Sequence, residues 1–456
     1  MGKADKNKQA VIKKRKFSME PTRIIAIVFA AIILTGTLLL TLPAASQSRQ
    51  SAGFLPSLFT ATSATCVTGL VIYDTGTQWS LFGQIVILCL IEVGGLGFMS
   101  MASLVIFLLR RKVGLRQRMV MAQALSVNDM NSVVRLQKWV LFGSLFIQLA
   151  GAMVLFFHFL PKFGPGQAAY YGVFHAISAF CNAGFDIFGY GNSIVAFNGD
   201  AVLEIVLMVL ISVGGLGFFV WEEVVRLHSW KKFSVYTKLV LLASLMLTVG
   251  GALVFLGLEW NNPGTMGGMS AGNKILNAFF QSVTVRTAGF AAMEQGLLTD
   301  GGKAVAMVLM LIGGSSGSTA GGIKTVTVMV LMLFIWSRVR GKNTVRVFKR
   351  TVPDKQVMDA MTVAGIVFAL AVFGGIFLCA TCPVSFVDGL YETVSALATV
   401  GLTAGATPKL AVVAQLLIIL YMYFGRVGVL TISLGFLMGD RAEERYRYAE
   451  TNLLIG

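Results

Sequence analysis

The chain has 456 residues, of which 56% are hydrophobic and only 13% charged, with a mean hydropathy of +0.77. A soluble domain carries about 25% charged residues, so a soluble globular enzyme is excluded, and the aliphatic and aromatic content excludes a disordered chain. There are 37 basic residues against 21 acidic ones, net +16, and where that excess lies decides what it means.

Eight apolar runs are long enough to cross a membrane as helices. In chain order they cover about 24–42, 81–109, 139–160, 201–221, 239–258, 304–336, 358–380 and 411–438. A basic tail (Lys13, Lys14, Arg15, Lys16) precedes the first, as in a signal peptide. The apolar part is too long for such a peptide and no cleavage signal follows Pro43, so it reads as a span. Runs without alternation argue against a barrel. With the N-terminus inside, segments 1–18, 110–138, 222–238, 338–355 and 440–456 face inward and carry net +19, while 44–79, 161–200, 259–303 and 381–410 face outward and carry net −2. This is the positive-inside pattern. The basic excess therefore orients the chain, calls for no nucleic acid, and faces anionic lipid heads or an acidic cytosolic partner.

Each outward segment contains a stretch too apolar for a loop and too short to span: 54–70, 168–185, 275–290 and 386–402. Such stretches read as re-entrant elements, which are tolerated only where protein buries them or water wets them. They form a fourfold internal repeat. An aromatic (Phe59, Phe174, Phe279, Tyr391) stands ten residues before a glycine (Gly69, Gly184, Gly289, Gly401). A serine (Ser63, Ser178, Ser395) stands six before it, with Val283 the exception, and Leu or Phe follows the glycine. Downstream, Ile91-Glu-Val-Gly-Gly-Leu-Gly-Phe98 nearly recurs as Ile211-Ser-Val-Gly-Gly-Leu-Gly-Phe218, with fainter echoes at Leu311–Gly317 and Phe424–Gly428. These paired glycines read as helix-packing contacts.

The predicted fold is an all-α membrane protein with eight transmembrane helices and four re-entrant pore loops. Four parallel span–pore loop–span repeats surround one pseudo-fourfold pore. The units are 21–110, 139–226, 234–340 and 355–440, flanked by cytoplasmic tails 1–20 and 441–456. Glycine reaches positive φ cheaply, which lets successive carbonyls of an extended strand face one axis. Four such strands make rings of oxygens that replace the hydration shell of a monovalent cation. The expected filter residues are Val67, Thr68 and Gly69; Asn182, Ala183 and Gly184; Thr287, Ala288 and Gly289; Thr399, Val400 and Gly401. The re-entrant helices would point their C-terminal ends, which favour cations, at the pore.

The motifs Thr65-Cys-Val-Thr-Gly69, Phe180-Cys-Asn-Ala-Gly184, Val285-Arg-Thr-Ala-Gly289 and Leu397-Ala-Thr-Val-Gly401 resemble the four pore loops of the Trk/Ktr/HKT cation transporters. The resemblance covers about 21–440 and is nearest to the bacterial Ktr membrane subunit. It implies a fold derived from potassium channels by duplication and fusion, and a homodimer with one pore per subunit in the bacterial plasma membrane. It also implies a cytosolic nucleotide-binding ring that gates the pore from inside, and sodium as an activator. Glycine at all four filter positions goes with potassium in this family, whereas serine at the first goes with sodium permeation. No cofactor is expected in the chain beyond the transported potassium.

Two features resemble the family's gate. The third unit's second span is interrupted by 313–324, with Gly313, Gly314, Ser315, Ser316, Gly317, Ser318 and Thr319 leading to Lys324. Glycines and hydroxyls through mid-span unwind a helix. The other is Arg426, expected near the middle of the last span. At about 6 Å and an effective dielectric near 20 it would repel a cation by roughly 3 kcal/mol, or tie down the loop. Glu92 calls for a partner such as Arg426 or Lys324, and Arg286 calls for a carboxylate behind the filter. Cys379 and Cys382 form a Cys-x-x-Cys without nearby metal ligands, and none of His158, His175 and His228 pairs with a Ser, Cys or carboxylate at a recognisable spacing. Rival readings are a sodium-permeable or poorly selective channel of the same fold, an inverted-repeat solute carrier, and a membrane enzyme. Parallel repeats oppose the carrier, and no catalytic pair is visible for the enzyme.

Overall fold

The computed structural model describes residues 21–97 and 133–428. The two tails, most of the inner segment 110–138 and the ends of the second and eighth spans lie outside the described residues. Helices account for nearly all of the regular structure. They are α1 (Pro21–Thr41), α2 (Phe54–Thr65), α3 (Thr75–Gln78), α4 (Leu81–Leu96), α5 (Val133–Phe180), α6 (Ala201–Leu216), α7 (Phe218–Leu227), α8 (Val235–Glu259), α9 (Ala271–Thr284), α10 (Asp300–Leu311), α11 (Thr325–Val339), α12 (Asp354–Thr381), α13 (Phe386–Leu397) and α14 (Val412–Val427). A two-stranded hairpin, β1 (Arg346–Val347) and β2 (Arg350–Thr351), pairs Arg346 with Thr351 and Val347 with Arg350 between the third and fourth units.

The first helix of each unit is continuous. Among the described residues four stretches are long and apolar enough to cross a membrane: Arg23–Thr41, Gln137–Phe180, Val235–Glu259 and Asp354–Thr381. Within α5 the chain kinks at Gly164 (φ 75°), next to Pro165, so that one run holds both the first helix of unit two and the short helix after it. Proline lacks the N–H and disfavours helix in the residue before it, which accounts for the break.

The second helices differ from the uninterrupted spans expected from composition. α4, α6 and α14 stop at glycines with φ of 81°, 92° and 94° (Gly97, Gly217 and Gly428). A left-handed residue cannot continue a right-handed helix. At Gly217 the chain resumes as α7 after a bend of 95°. In the third unit α10 ends at Leu311 and α11 begins at Thr325. An apolar count cannot see these breaks, because a single glycine barely changes mean hydropathy.

Each continuous helix packs against the short helix of its own unit: α1 on α2, α8 on α9, α12 on α13. In units one, two and four the first glycine of the downstream motif permits the next layer of packing. A methyl on Gly94, Gly214 or Gly425 would collide with the carbonyl oxygen of Thr65, Phe180 or Leu397, the last residue of a short helix. Each glycine gives up about 0.5–1 kcal/mol of helix propensity in return for that approach. It seats the end of the short helix directly on the second helix.

Candidate functional site

The short helices α2, α9 and α13, with the last part of α5, are buried along their C-terminal halves and hand over to four loops of one geometry. The residue two before each glycine is left-handed: Val67, Asn182, Thr287 and Thr399 have φ of 56°, 57°, 67° and 53°. The glycines are left-handed too, at 96°, 69°, 82° and 95° for Gly69, Gly184, Gly289 and Gly401. Thr68, Ala183, Ala288 and Val400 between them are not. In a plain strand successive carbonyls point to opposite sides. Alternating the hand cancels that alternation, so consecutive carbonyls share a face. A non-glycine residue pays of order 1 kcal/mol for a left-handed backbone, so four at matched positions must be held by their surroundings.

The loops are held by hydrogen bonds back to the short helices. The N–H groups of Thr68, Ala183 and Val400 each donate to the carbonyl five residues earlier, Ser63, Ser178 and Ser395, at 2.8 Å. The serine side chains add a second tie. Ser63 Oγ and Ser395 Oγ accept from the N–H of Gly69 and Gly401 at 3.1 Å, and Ser178 Oγ donates to the Phe185 carbonyl at 2.7 Å. That is the physical role of the recurring serine.

The third unit keeps the design with its anchors displaced by one residue. Thr284, not Val283, supplies the hydroxyl, donating to the Phe290 carbonyl at 2.6 Å. Its own carbonyl accepts from Ala288 N at 2.9 Å. Phe280, rather than Phe279, is the fully buried aromatic matching Phe59, Phe174 and Tyr391. The doublet Phe279-Phe280 followed by Val283-Thr284 was the available signal. Aligning strictly by distance to Gly289 hid it.

The four loops close on one another. A methyl on Gly69 would sit 2.5 Å from the Ala183 carbonyl oxygen, and one on Gly184 2.6 Å from that of Ala288. One on Gly289 would meet the Val400 oxygen and one on Gly401 the Thr68 oxygen, closer still. The order runs one, two, three, four and back to one. The four glycine loops therefore meet in a cycle, with units two and four diagonally opposed.

Beneath this ring lies segment 313–324. Its first half docks on the break at Gly217. Ser315 N donates to the Gly215 carbonyl at 3.0 Å, Phe218 N to Gly317 O at 2.8 Å, and Tyr236 Oη to Ser316 O at 2.9 Å. Ser318 Oγ turns back on Ser315 O at 2.6 Å. Gly313 and Gly314 take part in the closure of the loop neck: Gly313 N donates to Ile323 O at 2.9 Å, and Thr325 N to Gly314 O at 3.0 Å. Thr319 Oγ1 reaches the foot of loop two, 3.1 Å from the Phe180 carbonyl and 3.3 Å from Asn182 Oδ1. Two residues on, a methyl on Gly321 would strike the Thr399 hydroxyl at the foot of loop four. Since loops two and four are diagonal, the segment between crosses below the ring.

Arg426 stands at the end of α14. One guanidinium nitrogen donates to the Thr319 carbonyl, and another to the carbonyls of Gly94 and, at 2.9 Å, Gly95. It thus ties the crossing segment and also satisfies the open C-terminal carbonyls of α4. Lys324 Nζ donates to Ala320 O at 2.8 Å. Neither cation is the partner of Glu92, contrary to expectation. The Glu92 carboxylate accepts from Gln148 Nε2 at 3.0 Å and from Cys181 Sγ at 3.3 Å, behind loop two. Arg286 likewise meets no carboxylate among the described residues. It lies 3.4 Å from both the carbonyl and the hydroxyl of Ser244 on α8, which offers an acceptor without a second buried charge. Glu204 is buried at the start of α6 and accepts from Gly199 N at 2.8 Å. Cys379 and Cys382 are unbonded to each other.

Four glycine loops that close on one another within a helical membrane protein, with a polar segment against two of them, fit an integral membrane protein of the cation-transport class. A family model described as TrkH, cation transport protein, matches residues 8–444, and the chain belongs to that family. It is 38% identical to the potassium/sodium uptake protein NtpJ of Enterococcus hirae, over 98% of this chain and 100% of that protein. It is 38% identical to the Ktr system potassium uptake protein B of Bacillus subtilis (96% and 97% covered) and 36% identical to that of Vibrio alginolyticus (95% and 94% covered). Its fold is similar to the crystal structure of the potassium transporter TrkH from Vibrio parahaemolyticus, with a TM-score of 0.72 over 93% of this chain and 86% of that one at 17% identity.

Proposed function

We propose that the chain is the membrane subunit of a potassium uptake system. Dehydrated potassium passes the carbonyls of residues 67–69, 182–184, 287–289 and 399–401, and segment 313–324 with Arg426 gates the path below. The single observation carrying this reading is the closed cyclic contact of the four glycine loops. It gives a cation a full set of oxygens in place of water. A neutral carbonyl ring stabilises a bare cation without fixing it by charge, so the ion can leave as readily as it enters.

Relatives bearing the name Ktr system support a two-component assembly, in which a cytosolic nucleotide-binding ring acts on the gate and the membrane chain works as a homodimer. The charge bias supports cytoplasmic termini in a bacterial plasma membrane, with anionic lipids against the basic inner surface. Sodium is assigned the role of activator. The test is expression with the cognate cytosolic subunit in cells lacking potassium uptake. Growth at low potassium should be restored, and Gly69→Ser or Gly289→Ser should shift ion preference towards sodium. Absence of rescue with the chain present in the membrane, or unchanged preference in both variants, refutes the filter reading.

A further inference from the structure

Thr319 stands out within the crossing segment because its contacts reach two other units directly and a third through Arg426. Its N–H lies 3.3 Å from the Gly214 carbonyl of unit two. Its carbonyl accepts from Arg426 of unit four, whose guanidinium also holds Gly94 and Gly95 of unit one. Its hydroxyl has one proton and two acceptors in range, the Phe180 carbonyl and Asn182 Oδ1. The backbone contacts belong to any residue placed there. The hydroxyl contact belongs to threonine or serine alone.

The hydroxyl touches the filter at the foot of loop two. Of the four left-handed residues, Val67 has no polar side-chain atom, and among the described residues the Thr287 and Thr399 hydroxyls, like Asn182 Nδ2, have no hydrogen-bond partner. Only Asn182 is joined to the segment by a hydrogen bond. Asn182 takes a left-handed backbone, φ of 57°, which its short amide side chain tolerates and its neighbours help to hold. Phe180 ends the helical part of α5, so its carbonyl has no helical partner of its own. Gly214 packs against that oxygen and against the Thr319 hydroxyl and Asn182 Oδ1, where a methyl would strike all three. When the segment moves, Phe180 and Asn182 lose their donor together, and the second strand of the ring is freed to change conformation.

We infer that Thr319 is a positioning residue through which the filter senses the gate: its hydroxyl, bonded to Phe180 and Asn182, holds the second filter strand in shape only while segment 313–324 is closed. Ion preference is then coupled to gating. Because coupling free energy is reciprocal, the ion resident in the filter also biases the segment. This rests on the gating role of 313–324 and adds to it the residue that joins gate and filter.

The experiment compares Thr319→Val, which keeps the shape and backbone contacts, with Thr319→Ser, which keeps the hydroxyl. Deletion of 315–320 serves as the control for the gate itself. Rubidium uptake and the potassium-to-sodium ratio are measured with and without the cytosolic subunit, at matched amounts of protein in the membrane. Thr319→Val should raise flux without the cytosolic subunit by about three- to tenfold, the worth of one hydrogen bond. It should also shift the ion ratio by at least about twofold, whereas Thr319→Ser should match the parent in both. An unchanged ratio in Thr319→Val, or the same change in Thr319→Ser, overturns the coupling. If the deletion raises flux while Thr319→Val keeps the parent ratio, only the coupling falls. If the deletion leaves flux and regulation unchanged, the gate reading falls as well.

Discussion

Adding a single methyl to Gly184 separates the ring geometry from ordinary backbone strain. Gly184 has φ of 69°, and a Cβ there would lie 2.6 Å from the Ala288 carbonyl oxygen and 2.8 Å from Gly289 Cα. Gly191, seven residues on in the outer loop, has φ of 75° with nothing within 4 Å of its Cβ position. Both alanine variants therefore pay the same left-handed penalty, about 1–2 kcal/mol, and only Gly184→Ala must displace a filter oxygen. Relieving the clash only to about 3.0–3.4 Å, the tight end of real contacts, already moves that oxygen by roughly 0.4–0.8 Å. With about half an elementary charge on the oxygen, an effective dielectric near 20 and a starting ion distance of about 2.8 Å, the loss is roughly 0.5 kcal/mol for each ion layer it serves. A ring shared by two layers loses about 1 kcal/mol, or about fivefold in ion occupancy. Rubidium uptake by purified protein in liposomes, with sodium as competitor, should therefore fall about fivefold in Gly184→Ala and keep the parent competition profile in Gly191→Ala. Equal effects in the two variants would show that strain alone, and not an oxygen ring, explains the glycine.

Two further outcomes follow from carboxylates beside the loops that lead into α6 and α14. The Glu392 carboxylate accepts from the N–H groups of Ala404 and Ala406 at 3.0 and 3.2 Å and from the hydroxyls of Thr403 and Thr407 at 2.5 Å. Glu392→Gln would aim an amide donor at some of those donors and cost about 1–3 kcal/mol, read as a lower melting temperature in detergent together with weakened uptake. Burial raises the pKa of Asp200, the cap of α6, but hydrogen bonds from Lys162, His158 and Leu203 N outweigh it and hold the carboxyl below its ordinary value. A depressed folded pKa gives stability that is present above the unfolded pKa, about 3.9, and lost as pH falls through the folded one. Thermal stability should fall below about pH 4, and Asp200→Asn should flatten that acid limb; an unchanged limb refutes the assignment.

Much of this architecture was legible in the residues because it is written in periods and sums. The four units, their common direction and the four glycines are patterns of composition and spacing, and charge bias does not depend on how side chains pack. The register change in unit three was not legible, because Phe279-Phe280 and Val283-Thr284 each offer two candidates and only packing selects Phe280 and Thr284. Nor were the breaks at Gly97, Gly217 and Gly428 separable from packing glycines, since the same motif serves both uses a few residues apart.

Covalent order alone required a membrane protein of four like units with its basic surface on one side, because burying apolar runs in lipid and keeping charge out of it are one-dimensional constraints. Which atoms meet was decided in three dimensions. Arg426 found Thr319 and Gly95 rather than Glu92, Arg286 found Ser244 rather than a carboxylate, and one loop came to lie beneath two opposite strands of the ring. The reason is that carbonyl acceptors sit on every residue and carry no signature in the side-chain alphabet. Where a buried cation is neutralised by backbone, only the folded chain says whose backbone it is.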